Sequence, residues 1–586
     1  MLHAAQDGKT VHGQSPLGGR RHYRTPLLTA VCQEGVRASN DGSGGCIRVE
    51  RGRHFALSDP RREDRFDSCP QCLSKSGMPK SFTQRIKDTT GGQTVALAAS
   101  SGLARRDVFQ VLAILALTAI SASLAFYNLD FPFGIQPDEP LKVAFAAGQP
   151  HNYAHPPLLI VLARFAGWLC QASNEHSFLL AGRTVCALAS VAASIVFYVV
   201  LRRYADDINA FLWASVFAVS PAIAVHAHYF KEDPILVVAI CVGLHALVRL
   251  KEQGTAINLV YFGVALGLAV TAKYAGAGNS LVLFVVAIVY CRLGARQAIV
   301  VAATTMLTVL AVFCVSLSTE TGSGLSTVIN GLGTELIHAE TGHDLKEWFW
   351  EGYGLTHFRS HLIPSLTGPT VAIALGAIVI AIVADRDKHV AAYAGAALIW
   401  LFMLELSPLK LVGFMRYILP VAVYLLLAAG IAFSRSIGAR NQPVAIGLGL
   451  ICLVASGHAG MAYVANLDRQ GDTRFAAMRF LEKQGVTHFL VDFPMGEPAP
   501  MTKDYRDLSS ADYLVSLKFQ RYLRGGGLSA QDPRIYELAG IFRCLDSHIV
   551  AQFSKPYGDY GYVAPTVRIY DLRGARSCIP EGKAIS

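Results

Sequence analysis

Two adjacent carboxylates, Asp138 and Glu139, stand between Pro137 and Pro140 shortly after an apolar run over residues 108–128. A charge-free run of that length predicts a membrane span, so the acidic pair emerges at a membrane surface. The flanking prolines restrict the backbone and predict a stiff, extended presentation of both side chains. Such carboxylates can act as general bases toward an incoming hydroxyl. A solvated acidic loop is the alternative.

A second group of ionisable residues separates two later apolar runs. His226, His228, Lys231, Glu232 and Asp233 fall within residues 226–233. The two histidines would point apart on a helix, which disfavours a metal site there. Asp233 is predicted to add a second carboxylate to the site, and Lys231 a cation.

Three further polar residues lie beside apolar runs: His155 heads the sequence His-Pro-Pro-Leu, and Lys273 and Arg416 stand at the ends of runs. Long basic side chains at such positions can reach toward lipid headgroups. They can also bind a phosphate, for which arginine offers a planar fork and lysine a point charge. Lys273 fits both interpretations equally, and Arg416 favours phosphate binding.

The composition is that of a membrane protein. Of the 586 residues, 52% are hydrophobic and only 16% are charged, and the mean hydropathy is +0.37. The formal net charge is +10, but the basic residues lie mostly in a polar N-terminal tail, in short loops and near the C-terminus. This distribution follows membrane topology, so a nucleic-acid partner is not expected.

Eleven apolar runs predict about eleven transmembrane helices. They cover residues 108–128, 184–201, 209–227, 234–250, 257–272, 279–291, 297–318, 369–384, 390–407, 414–434 and 444–464. The run 156–171 is shorter, begins with two prolines and contains Arg164, so it is predicted to be an interfacial helix.

The distribution of basic residues predicts the orientation of these spans. With eleven spans and Arg105-Arg106 inside, one set of loops holds most of the lysines and arginines, as cytoplasmic loops do. Asp138, His155, Asp233 and Arg416 then share the outer, periplasmic face of an inner membrane. The active site and everything after residue 465 are predicted to lie on that face.

Three regions are predicted along the chain. Residues 1–104 are polar, lack hydrophobic periodicity and are expected to form a disordered basic tail, whereas 105–465 form the transmembrane part. Residues 466–586 alternate helix and strand patterns, which predicts a small α/β domain. Its Cys544 and Cys578 can pair in an oxidising compartment, and the Cys69–Cys72 pair is not expected to bind metal.

The sequence resembles a known family. The Pro-Asp-Glu loop with its His-Pro-Pro-Leu, the outer Asp233, the Thr-Ala-Lys-Tyr-Ala-Gly segment and the Arg-Tyr-Ile-Leu-Pro segment are similar to motifs of GT-C membrane glycosyltransferases. Within this class the chain resembles the protein O-mannosyltransferase and lipid A aminoarabinose transferase group. The similarity covers about residues 105–465. Where relatives carry lysine before the prolines, this sequence has His155.

The resemblance implies a sugar donor on a polyprenyl phosphate and a protein, lipid or glycan acceptor, with transfer on the outer face of the membrane. Asp138 would be the general base and Asp233 a second acidic residue, with Glu139 or His155 positioning the base. Lys231, Lys273, Arg416 and His155 would bind the donor phosphate. No cofactor is required, although a divalent ion between the carboxylates stays open. A transporter or flippase is the alternative.

Overall fold

The chain is described from a computed structural model. The structure describes residues 91–579, except 133, 135, 320–323, 342–354, 356, 407–414, 494, 496–498, 502–504, 518–539 and 558–562. Most of the predicted N-terminal tail, including Cys69 and Cys72, therefore lies outside the described residues. The part of that tail from Gly91 onward belongs to the first helix, ahead of the predicted start at residue 105.

The described part is mostly helical. Its α-helices are α1 Gly91–Ala125, α2 Glu139–Ala146, α3 Leu158–Leu169, α4 Glu175–Leu201, α5 Asp207–Val219, α6 Pro221–His226, α7 Asp233–Glu252, α8 Ala256–Ala272, α9 Ala275–Cys291, α10 Ala295–Ser318, α11 Leu325–Thr341, α12 Ile363–Leu366, α13 Gly368–Val383, α14 Lys388–Leu406, α15 Leu419–Ala432, α16 Gln442–Ala465 and α17 Thr473–Lys483. Each of the eleven predicted apolar runs falls on helical segments.

Length and composition alone identify fewer candidate membrane spans among the described helices than the eleven predicted, and the number eleven stays a prediction. Within the described ranges, six helices are long and apolar enough to cross a membrane. A seventh is obtained if the pair His357–Leu366 and Gly368–Val383, bent by 102°, counts as one span. The chain is thus a multi-pass membrane protein, and α3, α5, α8 and α9 are shorter apolar helices.

Close packing of small residues joins neighbouring helices. Cβ atoms built on Gly263 and Gly267 of α8 would lie 2.7 Å and 2.6 Å from the Cβ atoms of Thr304 and Thr308 of α10. Thr305 also donates to the Gly263 carbonyl oxygen at 3.1 Å. Glycines four apart allow this approach, which is how membrane helices gain packing energy without a hydrophobic driving force.

The predicted run 209–227 is divided into two helices. Ser220 is extended and Pro221 begins α6, because proline is favoured in a first helical turn and cannot continue a preceding helix. The short α6 ends at His226, and the polar connection to α7 follows directly. The break therefore places residues 227–232 against the ends of the neighbouring helices, where they are buried.

A four-stranded sheet follows α17. The strands are β1 Phe489–Val491, β2 Tyr513–Ser516, β3 Ile549–Phe553 and β4 Val567–Asp571, in the order β1-β2-β4-β3. β1 pairs with β2 in parallel, and the other pairs are antiparallel, with Val515 opposite Ile569. The predicted small α/β domain is confirmed, and Cys544 and Cys578 form the disulfide that the sequence allowed.

Candidate active site

Asp138 directly precedes α2, and its backbone N–H donates to the Gln136 side-chain oxygen at 2.6 Å. Pro140 lies in the first turn of α2, where its missing N–H costs no hydrogen bond. The prediction of an extended acidic pair is therefore wrong for both residues, because Asp138 has helical backbone angles (φ −87°, ψ −13°) and Glu139 begins α2. The carboxylate of Asp138 is 37% exposed, and it meets two cations.

Those two cations come from distant parts of the chain. The Lys231 ammonium forms an ion pair with Asp138 Oδ2, and Arg416 Nη1 lies 3.9 Å from the same oxygen. Lys231 is supplied by the connection before α7, and Arg416 by a 3-10 turn, Met415–Ile418, before α15. The chain thus brings three predicted site residues into direct contact.

Two more ion pairs adjoin this contact. Lys142 of α2 pairs with Glu232, and Lys273 Nζ lies 2.5 Å from Asp233 Oδ1. Because residues 231–233 are consecutive, all these pairs form one group, which we call the charged cluster. It consists of Asp138, Lys142, Lys231, Glu232, Asp233, Lys273 and Arg416.

Asp233 is the most enclosed carboxylate of the charged cluster. It is fully buried at the first position of α7, where the helix dipole favours a negative charge. Its Oδ1 accepts from Lys273, whereas its Oδ2 meets no hydrogen-bond donor among the described residues. Lys273 Nζ also lies over the Tyr417 ring, 5.0 Å from its centroid. Because Tyr417 follows Arg416 in the chain, this contact holds the Lys273–Asp233 pair next to Arg416.

Glu139 is held by structural contacts. Arg183 of α4 donates to both of its oxygens, at 2.9 Å and 2.7 Å, and the Phe230 backbone N–H donates at 3.0 Å. Arg183 also donates to the carbonyl oxygens of Leu129 and Phe131, at 3.0 Å and 2.6 Å. Glu139 and Arg183 therefore join the loop before Asp138 to the loop before Lys231.

His155 lies beside the charged cluster. Burial lowers the pKa of His155 to about 4, and the nearby charge of Lys142 adds to this effect, while Glu232 opposes it. The imidazole is consequently neutral at physiological pH. It can donate one hydrogen bond to a phosphate, but it does not supply the positive charge that phosphate binding would otherwise gain.

Burial and neighbouring charges also shift the pKa values of the two residues that precede α7, Lys231 and Glu232. Burial and the positive charge of Arg416 lower the pKa of Lys231. Burial alone would raise the pKa of Glu232, but the Lys142 ammonium, which also donates a hydrogen bond to it, holds that pKa well below its usual range. Glu232 is thus a charged partner for Lys142, with both side chains almost fully buried.

Sequence reasoning found five of the seven members of the charged cluster and missed the pair Lys142 and Glu232. Arg183 was missed as well, although a buried arginine beside an apolar run is a signal of function. Of the other predicted site residues, His155 lies beside the charged cluster and Glu139 is held by Arg183. Within the described ranges, no group of three or more His, Cys, Asp or Glu side chains could hold a metal ion.

Residues 154–318 match the family model described as dolichyl-phosphate-mannose-protein mannosyltransferase. This segment contains His155, Lys231, Asp233 and Lys273. The match confirms the predicted resemblance to GT-C glycosyltransferases of the protein O-mannosyltransferase group. No curated protein matched the chain.

Several solved structures are similar at low identity. ArnT from Cupriavidus metallidurans bound to undecaprenyl phosphate is 14% identical, with a TM-score of 0.45, over 78% of this chain and 97% of that chain. The Archaeoglobus fulgidus oligosaccharyltransferase tethered with an acceptor peptide is 13% identical, with a TM-score of 0.41, over 78% and 74% of the two chains. The S. cerevisiae Pmt1-Pmt2 complex is 17% identical, with a TM-score of 0.28, over 44% and 37%.

Proposed function

We propose that this protein is a membrane glycosyltransferase that moves a sugar from a polyprenyl-phosphate donor to an acceptor hydroxyl, with Asp138 as the general base. The proposal depends on one observation: Asp138 is partly exposed between two cations, Lys231 and Arg416. The other carboxylates of the charged cluster are buried in pairs of their own. The family match to residues 154–318 supports the reaction class.

The proposed reaction is a single nucleophilic displacement at the anomeric carbon. The acceptor hydroxyl gives its proton to Asp138 while its oxygen attacks the anomeric carbon from the side opposite the phosphate. The bond between that carbon and the phosphate oxygen breaks, and its electron pair leaves with the phosphate. The configuration at the anomeric carbon is thereby inverted, and the general base contributes roughly 10²- to 10⁴-fold.

Cations of the charged cluster stabilise the leaving group. The lipid phosphate carries one negative charge as a diester and gains a second as the glycosidic bond breaks, so fixed positive charges lower the barrier. Arg416 is suited to this role because it lies 3.9 Å from Asp138 and carries a planar fork that matches two phosphate oxygens. Lys231 and Lys273 supply the neighbouring positive charges.

Binding of the donor would also release the base. In the structure, Lys231 and Arg416 both neutralise Asp138. A phosphate that competes for these cations would leave the carboxylate less strongly paired and more basic. The donor would thus make Asp138 more basic only when it is in place.

The charge balance favours a monophosphate donor. In the charged cluster, three carboxylates face four cations, which leaves one positive charge. A sugar phosphodiester brings one negative charge, whereas a nucleotide sugar or a lipid diphosphate brings more. We also propose that residues 105–465 form the catalytic part, and that the site and residues 466–586 lie on the periplasmic side of an inner membrane.

A donor comparison with the purified full-length protein tests this proposal. The protein in proteoliposomes would be given the same radiolabelled sugar on polyprenyl phosphate, on polyprenyl diphosphate and on a nucleoside diphosphate, together with cell-envelope acceptors. We expect transfer from the monophosphate donor alone. Transfer from the nucleotide sugar at an equal or higher rate would contradict the proposal.

A further inference from the structure

The three segments that meet at Asp138 share one apolar cluster with the C-terminal region. Phe131 precedes Asp138, Tyr229 precedes Lys231, and Met415 precedes Arg416. All three pack together with Leu467, Phe475 and Val563, which come after the last transmembrane helix. We call these six residues the clamp cluster. Phe131, Tyr229, Leu467, Phe475 and Val563 are buried in it.

Direct contacts connect the clamp cluster to the acidic loop. Arg183, which holds Glu139, lies over the Phe131 ring at 3.5 Å from its centroid. The rings of Phe131 and Tyr229 meet edge to face at 5.7 Å. The residue after Tyr229 donates its N–H to Glu139. A displacement of either ring would therefore move the backbone that flanks Asp138 and the backbone that leads to Lys231.

Polar contacts hold the C-terminal side of the clamp cluster in place. The Asn128 side chain donates to the Leu467 carbonyl oxygen, and Thr473 donates to the Pro565 carbonyl oxygen. Asp472 and Arg474 form a fully buried ion pair at the start of α17, at 2.7 Å. Both partners belong to the start of α17, so this pair orders the end of the helix itself, and loss of one partner would leave a buried charge unpaired.

We propose that the C-terminal region is a working part of the active site. In this proposal, which rests on the proposed glycosyl transfer, α17 positions Asp138, Lys231 and Arg416 through the clamp cluster, and Phe475 is the main positioning residue. Phe475 touches no reacting atom. It acts by keeping Phe131 and Tyr229 packed, and hence the base and its two cations within contact.

The test compares two phenylalanines of the same domain. Phe475→Ala removes the ring and leaves a cavity in the clamp cluster, and Phe475→Leu restores most of the lost volume. Phe542→Ala is the matched control, because Phe542 is equally buried in a separate core of the C-terminal domain. Turnover per folded molecule and the KM for the lipid donor would be measured for each. Hydrogen–deuterium exchange of residues 128–139 and 226–233 would be followed in parallel.

We expect Phe475→Ala to lower kcat between about 10- and 100-fold, since misplacement of reacting groups by about 1 Å has this effect. We also expect faster exchange in both segments, recovery of both properties in Phe475→Leu, and turnover within about twofold of wild type in Phe542→Ala. Wild-type turnover and exchange in Phe475→Ala would overturn the proposal. So would an equal loss of turnover in Phe542→Ala.

Sugar transfer and hydrogen–deuterium exchange together distinguish a failure of this inference from a failure of the proposed function. If the wild-type protein transfers no sugar from the lipid donor, the proposed function fails, and the exchange measurement still decides whether Phe475 orders the two segments. If wild type transfers sugar and Phe475→Ala does so equally well, the positioning proposal alone fails.

Discussion

Asp138 differs from the other carboxylates near it in exposure and in the number of its cations. Its side chain is 37% exposed and faces both Lys231 and Arg416, whereas Glu232 and Asp233 are almost fully buried with one lysine each. A group that must receive a proton from a diffusing acceptor needs such access. The buried pairs instead hold the surrounding backbone in position.

Sequence patterns could identify these residue types but not their partners. Asp138, Asp233, Lys231, Lys273 and Arg416 were predicted because each follows or ends an apolar run. Their pairing depends on how α7, α8 and α15 pack, which no local pattern encodes. Lys231 and Lys273 were therefore predicted as separate cations for a phosphate, whereas the structure pairs each with a carboxylate.

Arg416 is expected to bind the donor phosphate. Arg416→Ala should lower kcat/KM for the lipid donor by about 10²- to 10³-fold, because a fixed charge that meets the developing negative charge is lost. The kcat/KM of Arg416→Lys should lie between those of wild type and Arg416→Ala, since lysine keeps the positive charge but lacks the planar fork. Steady-state transfer assays with varied donor concentration measure both.

A distant arginine serves as the control for that series. Arg440 pairs with Asp385 at 2.5 Å, and its side chain is mostly exposed. Arg440→Ala should leave kcat/KM within about twofold of wild type, because surface ion pairs contribute little. Wild-type kcat/KM in Arg416→Ala would remove Arg416 from the mechanism.

His155 should contribute to the pH dependence of stability. Its folded pKa of about 4 lies below the usual 6.5, so between these values the unfolded chain takes up a proton that the folded chain excludes. Stability is thus lost as the pH falls through this window, and nothing is lost above it. His155→Gln lacks this penalty.

Thermal unfolding in detergent at pH 7.5 and pH 5 checks the prediction. The midpoint of wild type should fall further between these two conditions than the midpoint of His155→Gln. An equal decrease in both proteins would mean that His155 titrates with its ordinary pKa in the folded state.

At the scale of helices and strands, the sequence patterns predicted most of the elements but not the interruption within an apolar run. The apolar runs fell on helices, and α17, β1, β2 and β4 overlap the helical pattern at 474–483 and the strand patterns at 487–493, 513–516 and 567–570 in the sequence. β3 was missed although Ile549, Ala551 and Phe553 alternate with exposed residues, because one of those exposed residues, Val550, is itself apolar and hides the alternation in the sequence. The division of 209–227 at Pro221 was also missed.

Gly182 permits the close approach that forms the site. A Cβ atom at this position of α4 would lie 2.5 Å from the buried ring of Phe230, whose N–H donates to Glu139. Gly182→Ala should therefore displace the connection that carries Lys231, at a cost of about 1–3 kcal/mol in stability. We expect at least about a tenfold loss of turnover.

Gly447→Ala is the matched control, because a Cβ atom there meets nothing within 4 Å on the exposed face of α16. It should leave turnover unchanged and stability equal or slightly higher. Turnover and unfolding midpoints of both variants decide the matter. If Gly182→Ala behaves like Gly447→Ala, the contact with Phe230 does not control the site.

At the scale of the whole molecule, the predicted class of protein is confirmed, whereas the number of spans stays a prediction. Low charge and high hydropathy indicated a multi-pass membrane protein, and the family match agrees with the predicted GT-C type. The eleven predicted spans compare with six or seven helices of sufficient length in the described part. Apolar composition alone does not distinguish a span from a short helix packed inside the bundle.

In the proposed mechanism the whole arrangement serves one proton transfer to Asp138, so that residue provides the most direct measurement. Asp138→Asn keeps the size and shape of the side chain but removes the basic oxygen. In proteoliposomes with purified polyprenyl-phosphate sugar, we predict that this variant inserts normally and loses at least about 10²-fold in transfer rate. A transfer rate near that of wild type would contradict the mechanism.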